Sequence, residues 1–262
     1  MTSEIAKNIN LIAEFCGKRD INSLDKTELR NKYGIDQVDV MVLFGGSIIC
    51  GGDILAEGMK NKIAKKYIIV GGAGHTTEAL RIKMRNAYPE VATEGLPEAE
   101  IFQNYLKMKY NLHADYLECK STNCGNNISY LLDLLKNNNI TCNYIIISQD
   151  ATMQYRMGAC LRKFANFTII NYATYTVKVI NDNGNLKFNE SILGMWDMER
   201  YITLLMGEIP RLTDDENGYG PKGKNFISHV DIPEEINRAF NELKVVYSDK
   251  IREANPLFAT RK

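Results

Sequence analysis

Along this chain, short runs of consecutive apolar residues alternate with longer stretches in which apolar residues recur every three or four positions. A run without polar alternation is typical of a strand covered on both faces, and the longer period is typical of an amphipathic helix. The pattern predicts five strands, which cover residues 38–44, 67–70, 115–118, 143–148 and 167–172. It therefore predicts an α/β fold, a Rossmann-like doubly wound parallel sheet with the strand order 3-2-1-4-5.

The alternation of strands and helices is confined to the middle of the chain. We therefore predict a Rossmann-like α/β domain over residues 36–180, with a smaller, mainly helical accessory region formed by residues 1–35 and 181–262. Residues 209–224 have no periodicity and precede a helix that begins near Pro233. Loops of this length inside a compact chain are usually functional or disordered.

Composition limits the classes of protein to which the chain can belong. Its 32 Lys and Arg balance its 32 Asp and Glu, so the positive charge of a nucleic-acid-binding protein is missing. No stretch approaches the ~20 apolar residues of a membrane helix, and the N-terminus lacks the pattern of a signal peptide. The six cysteines are scattered without a C-x-x-C pair, so no metal site or disulfide framework is predicted. We expect a cytoplasmic protein that binds a small molecule, with its oligomeric state open.

Glycine-rich turns follow the first two predicted strands. Glycine lets the backbone turn sharply and approach a ligand, with amide N–H groups exposed for anions. Tight turns between a strand and a helix also use glycine without any ligand, so a structural role is the alternative. His75 ends the second turn, where a general base or phosphate donor would be useful, or it is simply exposed. The turn residues assigned to the binding site are Gly45, Gly46, Ser47, Gly71, Gly72 and Gly74.

Polar side chains also follow the third and fourth predicted strands. The segment 121–127 holds five hydroxyl or amide side chains before a strongly periodic helix, where a simple cap needs one. The segment 148–156 follows the fourth strand at the topological switch point of the sheet. These segments and the acidic end of the third strand supply the remaining predicted binding residues, which are Glu118, Ser121, Asn123, Asn127, Gln149 and Asp150.

Four side chains are candidates for catalysis: His75, Glu98, Asp150 and Arg156. Asp150 can hold a ribose or an amine, or it can cap the following helix. Arg156 can pair with a carboxylate or phosphate, or it can be a solvated helix charge. Glu98 can handle protons, or it can complement the dipole of the helix that it begins. Cys124 is a lesser candidate, because a helix N-terminus lowers a thiol pKa but no histidine lies nearby in the sequence.

Several motifs occur in a fixed order along the chain. They are the two glycine turns, Pro97-Glu98-Ala99, Glu118-x-x-Ser121-Thr122-Asn123-Cys124-Gly125 and Gln149-Asp150-x-Thr152-Met153-Gln154. They continue in the tail as Gly194-Met195-Trp196, Glu199-Arg200-Tyr201, Gly207-Glu208-Ile209-Pro210-Arg211-Leu212 and Gly218-Tyr219-Gly220-Pro221. Over roughly residues 35–235, this order resembles that of the YdcF proteins of bacteria, part of a wider domain family that includes SanA and ElyC.

The resemblance implies a fold similar to nucleotide-utilising α/β enzymes and S-adenosylmethionine as the ligand, without an established reaction. Relatives in the wider family are linked to the cell envelope. The chain departs from the family's Ser-x-Asn-Thr-x-Glu-Asn motif, with Cys124 in place of Thr and Asn126 in place of Glu. Thr152 stands where the family has His, and Tyr155 where it has Arg. The resemblance therefore does not supply an acid or base at these positions.

We expect a protein that binds S-adenosylmethionine and acts as a transferase. The second strand ends in glycine, where conventional methyltransferases and dehydrogenases place an acid for the ribose hydroxyls. Asp150, Glu118 or Asp53 would have to accept those hydroxyls instead. One alternative is a phosphoester or nucleotide hydrolase in cell-envelope metabolism, with phosphate held by the glycine turns. The other is a non-catalytic small-molecule sensor that presents the 209–224 loop to a partner.

Overall fold

The computed structural model describes residues 2–248. Its centre is a parallel sheet with the strand order β3-β2-β1-β4-β5, which confirms the predicted topology. The strands are β1 Val38–Phe44, β2 Ala64–Val70, β3 Tyr116–Glu118, β4 Tyr144–Ser148 and β5 Thr168–Asn171. The helices are α1 Thr2–Cys16, α2 Lys26–Tyr33, α3 Cys50–Lys60, α4 Thr77–Ala87, α5 Glu98–Tyr110, α6 Cys124–Asn137, α7 Gln154–Phe164, α8 Met198–Leu212 and α9 Glu234–Val246.

Strand β1 lies at the centre of the sheet and places successive side chains on opposite faces. Val40 and Val42 belong to the core covered by α1, α6, α7, α8 and α9. Met41 and Leu43 belong to the core on the other face, beneath α2, α3, α4 and α5. Because both faces are covered, the strand has no polar side, which is the pattern seen in the sequence.

The N- and C-terminal segments complete one face of the sheet. Ile9 of α1 and Leu205 of α8 share a continuous hydrophobic core with Ile145 of β4. Met1 and residues 249–262 of the predicted accessory region lie outside the described residues. No helix within residues 2–248 is long and apolar enough to cross a membrane.

Two local features differ from the sequence-based expectation. The second strand was predicted over 67–70, but β2 begins at Ala64, soon after α3 ends at Lys60. The start of β2 was missed because its first half is partly solvent-exposed and carries lysines. The accessory region also contains an unpredicted antiparallel hairpin, β6 Val179–Asp182 and β7 Asn185–Phe188. Its turn is Asn183-Gly184, where both residues have positive φ.

Candidate functional site

The carboxyl ends of four neighbouring strands bring the predicted binding residues to one edge of the sheet. Gly45 follows β1, Gly71 follows β2, Glu118 ends β3 and Gln149 follows β4. The backbone N–H of Gly71 donates to the carbonyl oxygen of Glu118 at 2.9 Å. Gln149 Nε2 donates to the carbonyl oxygen of Gly45 at 3.2 Å. The order of these contacts follows the order of the strands, so these predicted binding residues lie together at this edge.

The Glu98 carboxylate lies between the two glycine turns. A Cβ atom added at Gly45 would lie 2.5 Å from Glu98 Oε2, and one added at Gly71 would lie 3.3 Å from the same oxygen. Thr76 and Thr77 donate hydroxyl hydrogen bonds to Glu98 Oε1 at 3.1 and 2.8 Å. Glu98 is 6% exposed, and burial raises its pKa against the lowering effect of these hydroxyls. Both glycines therefore make room for a buried acid.

Most glycine N–H groups of the turns donate inside the protein. Four turn glycines have internal acceptors, which are Val70 O for Gly45, Glu118 O for Gly71, Ser121 Oγ for Gly72 and Thr77 Oγ1 for Gly74. A Cβ at Gly72 would lie 2.2 Å from the backbone oxygen of Ser121. Gly46 is much less crowded, because its nearest neighbour would be Gln149 Oε1 at 3.5 Å. The hydrolase interpretation expected these amides to bind an anion. Such binding would require the four internal hydrogen bonds to break first.

Glu118 is a buried carboxylate with one oxygen unsatisfied. Its Oε1 accepts backbone hydrogen bonds from Lys120 at 2.6 Å and Ser121 at 3.1 Å. Its Oε2 is shielded from solvent and has no hydrogen-bond partner among residues 2–248. Glu118 is 7% exposed, and a desolvated carboxylate oxygen without a donor is costly. Asp53, the other acid considered for this role, instead accepts the hydroxyl of Tyr105 on α5 at 2.6 Å.

The polar segment before α6 forms a capping network. Asn123 Oδ1 accepts from the backbone N–H of Asn126 at 2.9 Å, and Asn123 Nδ2 donates to Asn126 Oδ1. Thr122 also donates to Asn126 Oδ1 at 3.1 Å, and the backbone N–H of Asn127 donates to the Asn123 carbonyl. These contacts account for much of the segment by helix capping. The binding roles of Asn123 and Asn127 stay predictions.

Asp150 is the most fully hydrogen-bonded acid at the sheet edge. Its Oδ1 accepts from the Thr152 N–H and hydroxyl, both at 3.0 Å, and from the Tyr175 hydroxyl at 2.8 Å. Its Oδ2 accepts from the indole N–H of Trp196 at 2.8 Å. It does not cap the following helix, since α7 begins at Gln154 and Asp150 instead closes a turn with Thr152. Oδ2 therefore has one donor, where Oδ1 has three, and that donor comes from Trp196.

Arg156 is buried rather than solvated. Its Nε lies 2.5 Å from Glu208 Oε2, and its Nη2 lies 3.0 Å from Glu208 Oε1. The two side chains are 11% and 5% exposed. Burial opposes the charge of Arg156, but Cys124 and Glu208 outweigh it and raise its pKa well above the ordinary value. The cation next to Cys124 is therefore Arg156, which lies on a different helix. His75 is exposed on the second glycine turn.

A segment that sequence reasoning did not assign to the site crosses this edge. We call residues 192–197, between β7 and α8, the strap. Lys83 Nζ donates to the Gly194 carbonyl at 2.7 Å and lies 4.1 Å from the centre of the Trp196 ring. Burial lowers the pKa of Lys83, while Asp150 and Asp197 raise it. The strap borders an open cleft of about 430 Å³ beside Lys83. Its Gly194-Met195-Trp196 motif was visible in the sequence, but nothing local placed it over Asp150.

The stretch predicted as a loop over 209–224 is partly helical, because α8 continues to Leu212. The loop that follows is fastened by His229, whose Nδ1 lies 2.6 Å from Asp214 Oδ2 and whose Nε2 lies 2.9 Å from Asp231 Oδ1. The hydrogen bond to Asp231, and then that to Asp214, raise the pKa of His229. We call Asp214, His229 and Asp231 the His229 clamp. It is a cluster of charged groups separate from the predicted site residues.

The arrangement at the sheet edge is acidic. Glu98, Glu118 and Asp150 are each at most 7% exposed. Lys83 and Arg200 are cations that approach the strap, both over the Trp196 ring. Within the described part of the chain, no group of three His, Cys, Asp or Glu side chains is placed to hold a metal ion. Such a site suits hydrogen-bond donors and positive charge better than anions. No protein-family model matches the chain.

Proposed function

We propose that the chain binds a nucleoside-type small molecule at the carboxyl edge of its sheet, that this ligand is S-adenosylmethionine, and that the protein transfers a group from it. The observation that carries the proposal is Glu118 Oε2, a buried carboxylate oxygen without a donor at the end of β3. A ribose hydroxyl or an amine of the ligand would supply the missing hydrogen bond. Glu118 would then do the work of the acid that conventional folds place after β2.

The charge of the edge supports this ligand over a phosphorylated one. The buried carboxylates of Glu98, Glu118 and Asp150 attract the positive sulfonium and amino groups of S-adenosylmethionine and repel phosphate. The likeness of the motifs to YdcF proteins points to the same ligand. A phosphoester hydrolase, the competing proposal, would need a divalent metal to offset these acids and its own turn amides to be released.

In a transfer reaction, Glu98 is the candidate for proton handling. A nucleophilic oxygen or nitrogen of the acceptor would take the methyl group from the sulfonium, which leaves as the neutral thioether, and would lose its own proton. Glu98 adjoins both glycine turns, and burial raises its pKa above the ordinary value, which makes its carboxylate a stronger base. The proposal therefore assigns the role of proton acceptor to Glu98.

The test is a calorimetric and thermal-shift panel of S-adenosylmethionine, S-adenosylhomocysteine, ATP, NAD and a sugar nucleotide, each with and without Mg²⁺. A ligand at 100 times its Kd adds about 2.7 kcal/mol of apparent stability. We expect S-adenosylmethionine to bind most tightly, ahead of S-adenosylhomocysteine, whose thioether sulfur is neutral. A larger shift with a phosphorylated ligand and Mg²⁺ would support the hydrolase instead, and a panel without any shift would contradict both.

Glu118→Gln tests the residue that carries the proposal. The amide keeps the size of the side chain but replaces a lone acceptor with an N–H₂ group at the same position. A hydrogen bond to a charged group is worth about 1.5–3 kcal/mol, so affinity should fall roughly 10- to 100-fold. Glu94→Gln, on an exposed loop residue, is the matched control and should bind as the wild type does. Unchanged affinity in Glu118→Gln would remove the basis of the proposal.

A further inference from the structure

The strap occupies two positions at which this fold usually contacts a ligand. The backbone N–H of Cys50, the first residue of α3, donates to the Leu193 carbonyl at 3.1 Å. No side chain caps α3, so its N-terminal amide is satisfied by the strap. On the other side of the crevice, the Trp196 indole N–H donates to Asp150 Oδ2. The strap thus offers an acceptor to the helix N-terminus and a donor to the acid at the switch point.

The strap lies close to the first glycine turn but is only partly buried. Gly194 has a φ of +80°, and a Cβ there would lie 2.6 Å from the backbone nitrogen of Ile49. Residues 192–196 are all intermediate in exposure, and Asp197 is exposed. Lys83 adds a side-chain fastening through the Gly194 carbonyl and the Trp196 ring. Ile192, Leu193, Met195 and Trp196 also pack against the two cores, but each is only partly buried. Polar contacts and partial apolar packing, rather than deep burial, therefore hold the strap over the crevice.

We propose that the strap stands in for the ligand and that binding opens it. The ligand presents an acceptor oxygen to the Cys50 N–H and a donor group to Asp150 Oδ2, which are the positions held by Leu193 and Trp196. This inference rests on the proposed function, because it concerns the same crevice. It specifies the ligand chemistry at two further positions. A carboxylate of the ligand would accept from the Cys50 N–H, and an amine of the same ligand would donate to Asp150 Oδ2. The measured affinity is then the intrinsic affinity reduced by the fraction of molecules with an open strap.

The chain has a single tryptophan, so its fluorescence reports on the strap alone. We use S-adenosylmethionine as the probe and follow Trp196 emission and acrylamide quenching during the titration that calorimetry follows in parallel. We expect a red shift and stronger quenching with the same midpoint as the calorimetric curve. Without ligand, Lys83→Met should also increase quenching, because it removes the hydrogen bond to the Gly194 carbonyl and loosens the strap. Lys107→Met, at an exposed position of α5, should not.

Trp196→Phe separates the role of the strap from that of the binding site. It keeps an aromatic ring but removes the N–H that holds Asp150, so calorimetry should show affinity for S-adenosylmethionine rising about tenfold. Tyr130→Phe, which removes a hydroxyl from an exposed ring on α6, is the control and should bind as the wild type does.

The outcomes distinguish this inference from the proposed function. If the wild type binds but Trp196 emission is unchanged and Trp196→Phe binds with wild-type affinity, the strap inference is overturned and the proposed function stands. If neither wild type nor Trp196→Phe binds any adenosyl compound, both are overturned. Binding seen only in Trp196→Phe would support both, because the closed strap would then be the barrier.

Discussion

Removal of the Glu208 charge should destabilise the protein strongly, because Arg156 would be left charged and buried. The two side chains form a two-point ion pair between α7 and α8, and they are 11% and 5% exposed. An arginine guanidinium stays protonated even when it is buried, so Arg156 cannot relieve the loss of its partner by deprotonation. Glu208→Gln keeps the shape of the side chain and removes only the charge.

The magnitude follows from the burial of the pair. Loss of one partner of a buried ion pair costs about 3–5 kcal/mol. For a chain of this size, each kcal/mol lowers Tm by about 2–4 °C, so we expect a drop of roughly 6–20 °C. Replacement of both partners by apolar side chains is often neutral or stabilising, so Arg156→Met with Glu208→Leu should recover most of the loss.

Urea unfolding of the wild type, Arg156→Met, Glu208→Leu and the double variant measures this coupling as a double-mutant cycle, and Glu208→Gln is measured beside them. Glu57→Gln, at an exposed position within α3, is the control and should change stability by no more than about 0.5 kcal/mol. A Glu208→Gln variant within 1 kcal/mol of the wild type, or a double variant no better than the singles, would refute the reasoning. The double variant also tests the predicted catalytic role of Arg156, because a folded protein without ligand binding would support that role.

The glycine turns and the His229 clamp give one prediction each. Gly72→Ala, whose Cβ would lie 2.2 Å from the Ser121 backbone oxygen, should lose about 1–3 kcal/mol in urea unfolding. Gly46→Ala, with its nearest atom at 3.5 Å, should change stability by less than about 1 kcal/mol, and equal losses would contradict the packing argument. Because the hydrogen bond to Asp231 raises the pKa of His229 above 6.5, the clamp should be complete below that pH and be lost as pH rises through the folded-state pKa. An NMR titration of the ring checks this, and a pKa at or below 6.5 would contradict it.

The fold could be predicted because its signal is local. The central strand β1 has apolar residues on both faces, as Val40 and Met41 show, so its run is visible without tertiary knowledge. Helix and strand limits were less certain where exposure was mixed, as at Lys65, where β2 had already begun. The hairpin turn at Asn183-Gly184 carried a recognisable signal that the short, polar flanking strands obscured.

The edge of the sheet could also be predicted, but the partners of its side chains could not. The positions of Gly45 and Gly71 followed from the strand ends, whereas the carboxylate that lies between them comes from Glu98 on a separate helix. The burial of Arg156 depends on Glu208, which lies 52 residues away. Residue type gave the chemistry available at each position, and long-range packing decided whether the protein itself uses it.

Asp150 shows why this distinction matters for function. Its type and place at the switch point predicted a ligand contact, yet its carboxylate is satisfied by Thr152, Tyr175 and Trp196. Two of these partners come from outside the turn. Tyr175 is buried, whereas Trp196 lies on a segment in which no residue is fully buried. Exchange of one indole N–H for one ligand donor would leave the hydrogen bonding of Asp150 complete in both states. An acid that is satisfied without ligand is therefore compatible with a binding site, provided that one of its donors can be displaced.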